Sequence, residues 1–291
     1  MGTQRPPLLS FIFWYVPSGI VLIIALFGAL LIINFLQMAS AVVWPFSQQL
    51  FRKINRELAN QWWSWAELAM TRGRSVNIIL TGDTIPVREN AIVMCNHQEM
   101  TDIAVLFFLA KQSKRLGDMK WFAKDVIKYV PGVGWGMLFL DCIYVKRDWY
   151  SDKNKILATF QKFYEKNIPI WLMIFPEGTR IRPHKLAKAN SIAKDKGMDT
   201  FKNVLLPRTK GMVASVQGLR QHIQAIYDVT IIYNGPAPSL LQLFMGFTKS
   251  VNIHASRIPI ESLPQEQEEI ANWVINCFRK KDLKMETAIA P

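Results

Sequence analysis

A histidine precedes an aspartate by five residues, His97 before Asp102. In a regular helix, residues five apart point about 140° away from each other, so the two side chains meet only if His97 lies in a loop and Asp102 in the first turn of the helix that follows. A carboxylate on one imidazole nitrogen fixes the tautomer and leaves the other nitrogen as a base. An unrelated loop histidine and helix-initiating aspartate are the commoner meaning of this spacing, so alone it is a weak indication of catalysis.

A second polar segment follows an apolar run, as Phe175-Pro176-Glu177-Gly178-Thr179-Arg180. This pattern predicts a tight turn that presents a carboxylate and a guanidinium together. Glycine lets the backbone approach a ligand closely, and arginine offers a planar fork that suits a phosphate. The simpler alternative is a turn whose Glu177 and Arg180 only pair with each other.

Short apolar runs alternate with helical patterns through the middle of the chain. The predicted strands are Ala91–Cys95, Ile143–Val145, Trp171–Phe175, Tyr227–Tyr233 and Val251–Ala255. The predicted helices are Asp102–Lys111, Lys120–Tyr129, Asp152–Glu165, Gly211–Gln221 and Gln265–Lys281. This alternation predicts an α/β fold with a mostly parallel central sheet flanked by helices. Both polar segments follow predicted strands, and parallel sheets bind ligands beyond the carboxyl ends of their strands.

The first part of the chain has a membrane-like composition. No charged side chain occurs between Pro6 and Phe51, and Ile20 to Val43 is almost entirely apolar. As a helix, that run spans about 36 Å, against a hydrocarbon core of roughly 30 Å, and Trp14 and Trp44 bracket it as interfacial anchors. A cleaved signal peptide fits less well, because its basic region would be Arg5 alone. A buried soluble helix fits least, because the run lacks a polar stripe.

We therefore predict an N-terminal membrane-associated helical segment over 1–71 and a catalytic domain with a C-terminal extension over 72–291. Basic residues follow the apolar run at Arg52, Lys53 and Arg56. The positive-inside bias then puts the catalytic domain on the cytoplasmic side of a membrane, with a bacterial inner membrane and an endoplasmic reticulum membrane equally compatible. Segment 46–71 predicts an amphipathic helix, which either lies along the bilayer or packs on the catalytic core.

The charge balance indicates an anionic partner. The chain has 35 basic and 22 acidic residues, a net charge of +13, and nine of the basic ones lie between Arg180 and Lys210. A basic face on an anchored protein suits anionic lipid, whereas stacking aromatics typical of nucleic-acid binding are missing from this stretch. The three cysteines form no CxxC motif, and the remaining histidines are isolated, so no metal site is predicted.

Taken together, the polar segments resemble the motifs of the glycerolipid acyltransferases, specifically the 1-acyl-glycerol-3-phosphate (lysophosphatidic acid) acyltransferase family. Two further blocks carry the likeness. The block from Ala123-Lys124 through Pro131 to Phe139–Arg147 is similar to the family's second motif, and Val204–Gly211 is similar to its fourth. Ala225–Thr230 is similar to one branch of the family. The resemblance covers roughly residues 91–233, and its order of four motifs is specific.

The resemblance implies transfer of a fatty acyl group from a thioester to the sn-2 hydroxyl of lysophosphatidate, without a cofactor. It makes His97 the general base and Asp102 the residue that orients it. It makes Arg180 a ligand of the acceptor phosphate and places other residues around the same substrates: Lys124, Lys146, Arg147, Glu177, Gly178, Thr179 and Pro207. The implied partners are membrane lipids, a lysophospholipid acceptor and an acyl thioester donor, either acyl-CoA or acyl carrier protein.

Three alternatives stay open at this stage. Cys95 precedes His97 by two residues, so a cysteine nucleophile is conceivable, although a small buried strand cysteine explains it better. The acceptor is open to being another lysophospholipid. The chain is also compatible with a non-catalytic, membrane-tethered lipid-binding protein.

Overall fold

The computed structural model describes residues 11–146 and 148–289, so residues 1–10 of the predicted anchor, Arg147 and residues 290–291 lie outside the described part. Seven strands form one sheet: β1 Asn77–Gly82, β2 Ala91–Cys95, β3 Met119–Lys124, β4 Ile143–Val145, β5 Trp171–Ile174, β6 Ala225–Tyr233 and β7 Ser250–Pro259. The described α-helices are α1 Val16–Ser40, α2 Gln48–Leu68, α3 Thr101–Gln112, α4 Val133–Phe139, α5 Trp149–Glu165, α6 Pro183–Asp195, α7 Thr209–Leu219, α8 Leu240–Phe244 and α9 Gln267–Ile289.

The strands are ordered β1-β7-β6-β2-β5-β3-β4. All neighbours pair in parallel except β6 and β7, which are antiparallel. The predicted mostly parallel α/β sheet is therefore confirmed. Strand β2 is fully buried between β5 and β6, as a continuous apolar strand of a covered parallel sheet should be. The residues that follow β2 and β5 consequently leave the sheet at the same edge.

Apolar residues fill both faces of the sheet. On one face, Trp171 and Tyr227 pack against α3 and the N-terminal helices; on the other, α5, α7 and α9 cover the sheet and contribute Phe160, Phe163 and Phe278 to the core. A buried lysine fastens α9 to the sheet: Lys281 is 1% exposed and its Nζ lies 2.5 Å from both the Val229 carbonyl oxygen and Asp228 Oδ1. Burying that charge is tolerable because it is paired and hydrogen-bonded.

The helix predicted over Lys120–Tyr129 is wrong. Residues Met119–Lys124 form β3, and Asp125–Tyr129 form a short 3₁₀ turn. Strand β3 lies between β5 and β4, with Met119, Lys120 and Trp121 all buried. Covering on both faces removes the apolar–polar alternation that would have marked the strand in the sequence.

Helix α1 belongs to the one stretch in the described residues, Phe13–Val43, that is long and apolar enough to cross a membrane. It does not stand apart from the rest of the protein. Gly19 packs against the backbone of Phe244 in α8, and the Leu26 carbonyl accepts a hydrogen bond of 2.8 Å from Trp62 Nε1. Near its other end, Asn34 and Gln37 are buried against Gly136 of α4.

Ser47 is the N-cap of α2, and its hydroxyl accepts the Leu50 N–H at 3.1 Å. One face of α2 is buried: Trp63 stacks on Phe107 of α3 with ring centroids 5.6 Å apart. Arg52 Nε lies 3.1 Å from Asp141 Oδ2, which ties the helix to the loop before β4. Of the two placements predicted for segment 46–71, the structure has the one packed on the core, and the division of the chain at residue 71 stays a prediction.

Replacing Trp63 with alanine tests this packing. Because Trp63 is only 8% exposed, we expect Trp63→Ala to lower the free energy of unfolding by about 3–5 kcal/mol. Trp65, on the same helix and 44% exposed, is the matched control, and Trp65→Ala should cost much less. The measurement is unfolding of both purified variants in one detergent. Equal losses would mean that α2 does not use this face to pack on the core.

Candidate active site

His97 and Asp102 meet at the carboxyl edge of the sheet. Strand β2 ends at Cys95, so His97 lies in the loop before α3, and Asp102 lies in the first turn of that helix. The His97 Nδ1 to Asp102 Oδ2 distance is 2.9 Å, which is the contact that the sequence predicted. Because a carboxylate only accepts, Nδ1 carries the proton and Nε2 presents a lone pair. Nε2 has no hydrogen-bond partner among the described residues, and the His97 side chain is 12% exposed.

The Asp102 carboxylate is fully buried and accepts three further hydrogen bonds. The backbone N–H groups of Gln98 and Glu99 donate to Oδ2 at 2.6 and 2.9 Å, and the Tyr233 hydroxyl donates to Oδ1 at 2.8 Å. Burial raises the pKa of Tyr233 well above its usual value, so its hydroxyl remains a donor. The loop between β2 and α3 is thus wrapped around one carboxylate, which fixes the direction of the His97 ring.

Aromatic stacking holds the ring from another side. The His97 ring lies parallel to Phe175, with centroids 4.2 Å apart and an interplanar angle of 21°. Phe175 in turn stacks on Trp121 of β3 at 6.2 Å. These stacked rings restrict the orientation of the imidazole plane.

Glu177 joins three segments of the site. Its side chain is 2% exposed, and its two oxygens accept from the His97 N–H at 2.7 Å and the Leu205 N–H at 3.0 Å. Burial raises the pKa of Glu177 to about 8, although these two N–H groups oppose part of that rise. The resemblance placed Glu177 near the substrate, which stays a prediction; the structure shows its side chain bonded to the backbone of His97 and Leu205.

The simpler alternative for the turn is also wrong, because Arg180 does not pair with Glu177. Arg180 and Arg182 each form an ion pair with Glu99, the acidic residue inside the first motif. Gly178 has φ +68°, a conformation that favours glycine. Thr179 accepts a hydrogen bond of 2.6 Å from Lys185, and Pro207 is buried.

The second motif lies further from His97. Lys124 ends β3 and Lys146 follows β4, which places them two and three strands away from β2, roughly 10 and 14 Å along the edge. The Lys146 N–H donates to Asp152 Oδ1 at 2.9 Å. Arg147 lies outside the described residues. The structure therefore gathers the first, third and fourth motifs around His97 more closely than the second.

Sequence reasoning missed Tyr233, Phe175, Arg182 and Arg208 as parts of the site. Tyr233 ends a predicted strand whose carboxyl end shares the edge with His97, and that position was the available signal. The Cys95 nucleophile loses support, because the thiol is 1% exposed and burial raises its pKa well above the usual value.

An α/β enzyme with a buried His–Asp pair and a basic turn at one sheet edge is the class that this arrangement defines. A family model described as acyltransferase matches residues 77–234, and one described as acyltransferase C-terminus matches 242–287. The 1-acyl-sn-glycerol-3-phosphate acyltransferase 3 of Arabidopsis thaliana is 32% identical over 285 residues, covering 94% of this chain and 73% of that protein. The gamma enzyme of Homo sapiens is 31% identical over 261 residues, covering 88% and 69%.

A solved structure agrees at the level of fold. The crystal structure of the 1-acyl-sn-glycerophosphate (LPA) acyltransferase PlsC from Thermotoga maritima superposes with a TM-score of 0.52 at 16% identity, covering 90% of this chain and 96% of that one. The chain belongs to the acyltransferase family, in the group of the 1-acyl-sn-glycerol-3-phosphate acyltransferases. It is an enzyme, which sets aside the non-catalytic lipid-binding alternative.

The buried proton on Glu177 predicts a pH dependence of stability. The folded chain keeps this proton up to about pH 8 because burial raises the pKa of Glu177, whereas a Glu carboxyl in the unfolded chain releases it near its usual pKa of 4.5. The folded state therefore binds more protons between these values, and stability falls as pH rises through that window. We expect unfolding midpoints of the wild type to fall more steeply from pH 5 to 8 than those of Glu177→Gln. Equal slopes of unfolding midpoint against pH in the two proteins would contradict a raised pKa for Glu177.

Proposed function

We propose that the protein transfers a fatty acyl group from an acyl thioester, of CoA or acyl carrier protein, to the sn-2 hydroxyl of lysophosphatidic acid, giving phosphatidic acid. The observation that carries the proposal is the 2.9 Å contact between His97 Nδ1 and Asp102 Oδ2, with Nε2 left for a hydroxyl beside a cluster of cationic side chains. The relatives at 31–32% identity are named for acyl transfer onto this class of acceptor.

The reaction needs one base and no covalent enzyme intermediate. His97 Nε2 removes the proton of the acceptor hydroxyl as its oxygen attacks the thioester carbonyl carbon, the new C–O bond forms, and the C–S bond then breaks. The departing thiolate takes the proton back from His97, so the enzyme ends unchanged. Asp102 stabilises the imidazolium between these two proton transfers.

The turn after β5 suits an anionic headgroup. Arg180, Arg182, Lys185 and Arg208 lie on or against this turn, and Glu99 is the carboxylate that pairs with two of them. The surplus of positive charge matches a phosphate monoester, which carries about −1.5 to −2. A monoester at the glycerol end is what distinguishes lysophosphatidate from lysophospholipids with a larger headgroup.

Substitutions at the pair test the mechanism. We expect His97→Ala and Asp102→Asn to reduce kcat by about 10²- to 10⁴-fold, because each removes general-base catalysis. Cys95→Ala, two residues from the histidine, should keep most of the activity. The measurement is release of CoA thiol from oleoyl-CoA with lysophosphatidate as acceptor. Loss of activity in Cys95→Ala equal to that in His97→Ala would favour a cysteine nucleophile instead.

We also propose that the protein lies on one leaflet and that α1 does not span the bilayer. Helix α1 contacts the catalytic domain near both ends, at α8 through Gly19 and at α4 through Gln37, and between them Leu26 accepts a hydrogen bond from Trp62 of α2. A helix of 25 residues is about 37 Å long, so a perpendicular α1 would carry the attached domain into the hydrocarbon. The other faces of α1 stay apolar and exposed, which suits a helix lying in the membrane with the domain beside it.

Accessibility of the two chain ends to protease tests this topology. In sealed vesicles with the cytoplasmic face outward, we expect epitope tags at the N-terminus and the C-terminus to be digested together, because α1 turns no part of the chain to the other side. A C-terminal tag that is digested while the N-terminal tag stays protected would mean that α1 spans the membrane. Detergent-opened vesicles, in which both tags must be digested, are the control.

A further inference from the structure

Arg208 is fixed to the turn after β5 by its backbone. Its N–H donates to the Pro176 carbonyl oxygen at 2.8 Å. Three residues earlier, the Leu205 N–H donates to Glu177 Oε2 at 3.0 Å. The other oxygen of Glu177 holds the backbone of His97 at 2.7 Å. One buried carboxyl group thereby connects the segment that carries Arg208 with the loop that carries the proposed base.

The side chain of Arg208 lies across Gly178. A Cβ added to Gly178 would come 3.4 Å from Arg208 Cδ, 3.6 Å from Nε and 3.8 Å from Cζ. The guanidinium therefore covers the residue that directly follows Glu177. Arg208 is exposed, and it forms no ion pair among the described residues, so its donors face solvent.

Unlike Arg208, Arg180 and Arg182 each have an acidic partner. Both are paired with Glu99, whose side chain is 13% exposed and which also accepts the Met100 N–H at 3.0 Å. Burial alone would raise the pKa of Glu99, but the Met100 N–H and the two guanidiniums outweigh it and lower that pKa. The charged carboxylate compensates part of the positive charge on the two arginines.

We propose that Arg208 is the main ligand of the acceptor's headgroup phosphate, and that Glu99 keeps Arg180 and Arg182 partly neutralised beside it. The inference rests on the proposed function, since it assumes a phosphate on the glycerol carbon next to the reacting hydroxyl. A phosphate next to the reacting hydroxyl needs a ligand close to His97. The Arg208 side chain lies against Gly178, and Glu177 joins the segment of Arg208 to the loop of His97. The proposal gives Arg208 the role of phosphate ligand that the motif resemblance gave to Arg180.

Separate Michaelis constants for acceptor and donor test the assignment. We expect Arg208→Gln to raise the KM for lysophosphatidate by roughly tenfold to a hundredfold, because a charge-assisted hydrogen bond is lost, and to leave the KM for oleoyl-CoA unchanged. Arg208→Lys keeps the charge but loses the planar fork of donors, so its KM for lysophosphatidate should lie between those of the wild type and Arg208→Gln. Arg180→Gln should raise the KM less than Arg208→Gln does. Arg279→Gln, on α9 and paired with Asp199, is the control for loss of one surface charge.

Glu99 supplies a test in the opposite direction. Glu99→Gln keeps the size of the side chain and removes its charge, so we expect the KM for lysophosphatidate to fall about threefold or more as the two arginines gain full charge towards the phosphate. In the double variant with Arg208→Gln, the freed arginines should recover part of the lost affinity. Glu67→Gln, whose carboxylate pairs with Lys111 outside the site, is the matched control.

The outcomes separate this inference from the proposed function. If the wild type does not acylate lysophosphatidate, the proposed function fails. If the wild type acylates lysophosphatidate but Arg208→Gln stays within twofold of its KM, or if the rise falls on the KM for oleoyl-CoA, the assignment of Arg208 is overturned. A higher KM for lysophosphatidate in Glu99→Gln would overturn the part assigned to Glu99. Unchanged unfolding midpoints are required of every variant that is compared.

Discussion

The active site depends on one buried carboxylate that accepts four hydrogen bonds. Asp102 receives the imidazole of His97, two backbone N–H groups of the loop and the Tyr233 hydroxyl, all between 2.6 and 2.9 Å. Each donor comes from a segment that the sheet brings to the same edge, so the carboxylate is satisfied only when β2, α3 and β6 are in register. Because leaving a buried polar group without a partner is costly, this cluster couples the folding of this edge of the sheet to the orientation of the His97 ring.

The sequence was informative wherever a polar motif followed an apolar strand. The turn after β5 and the loop after β2 both lie where the parallel-sheet rule predicted, and the contact between His97 and Asp102 follows from their placement in loop and first helical turn. Strand β3 was not predictable, because burial on both faces removes the periodicity that distinguishes a strand from a short helix. Side-chain pairing was not predictable either: which acid meets Arg180 depends on the distance between two loops, and Glu99 meets it from the first motif.

For the N-terminal helices too, the composition predicts one property, and only the structure shows the other. Composition indicates a membrane-seeking segment, and the apolar length of α1 agrees. Composition contains no signal for the contacts of α1 with α8, α2 and α4, because glycine at positions 19 and 136 is informative only when the partner is known. Those contacts hold α1 against α8, α2 and α4, while many apolar side chains on its other faces stay exposed.

Lys281 has a consequence for the biogenesis of the enzyme. Its ammonium group donates to the Val229 carbonyl oxygen in the middle of β6 at 2.5 Å and approaches the Met94 carbonyl oxygen of β2 at 3.5 Å. Because a ribosome synthesises a chain from its N-terminus, this lysine is made long after the apolar helix α1. The contact of Lys281 with β2 and β6 therefore forms only after almost the whole chain has been synthesised.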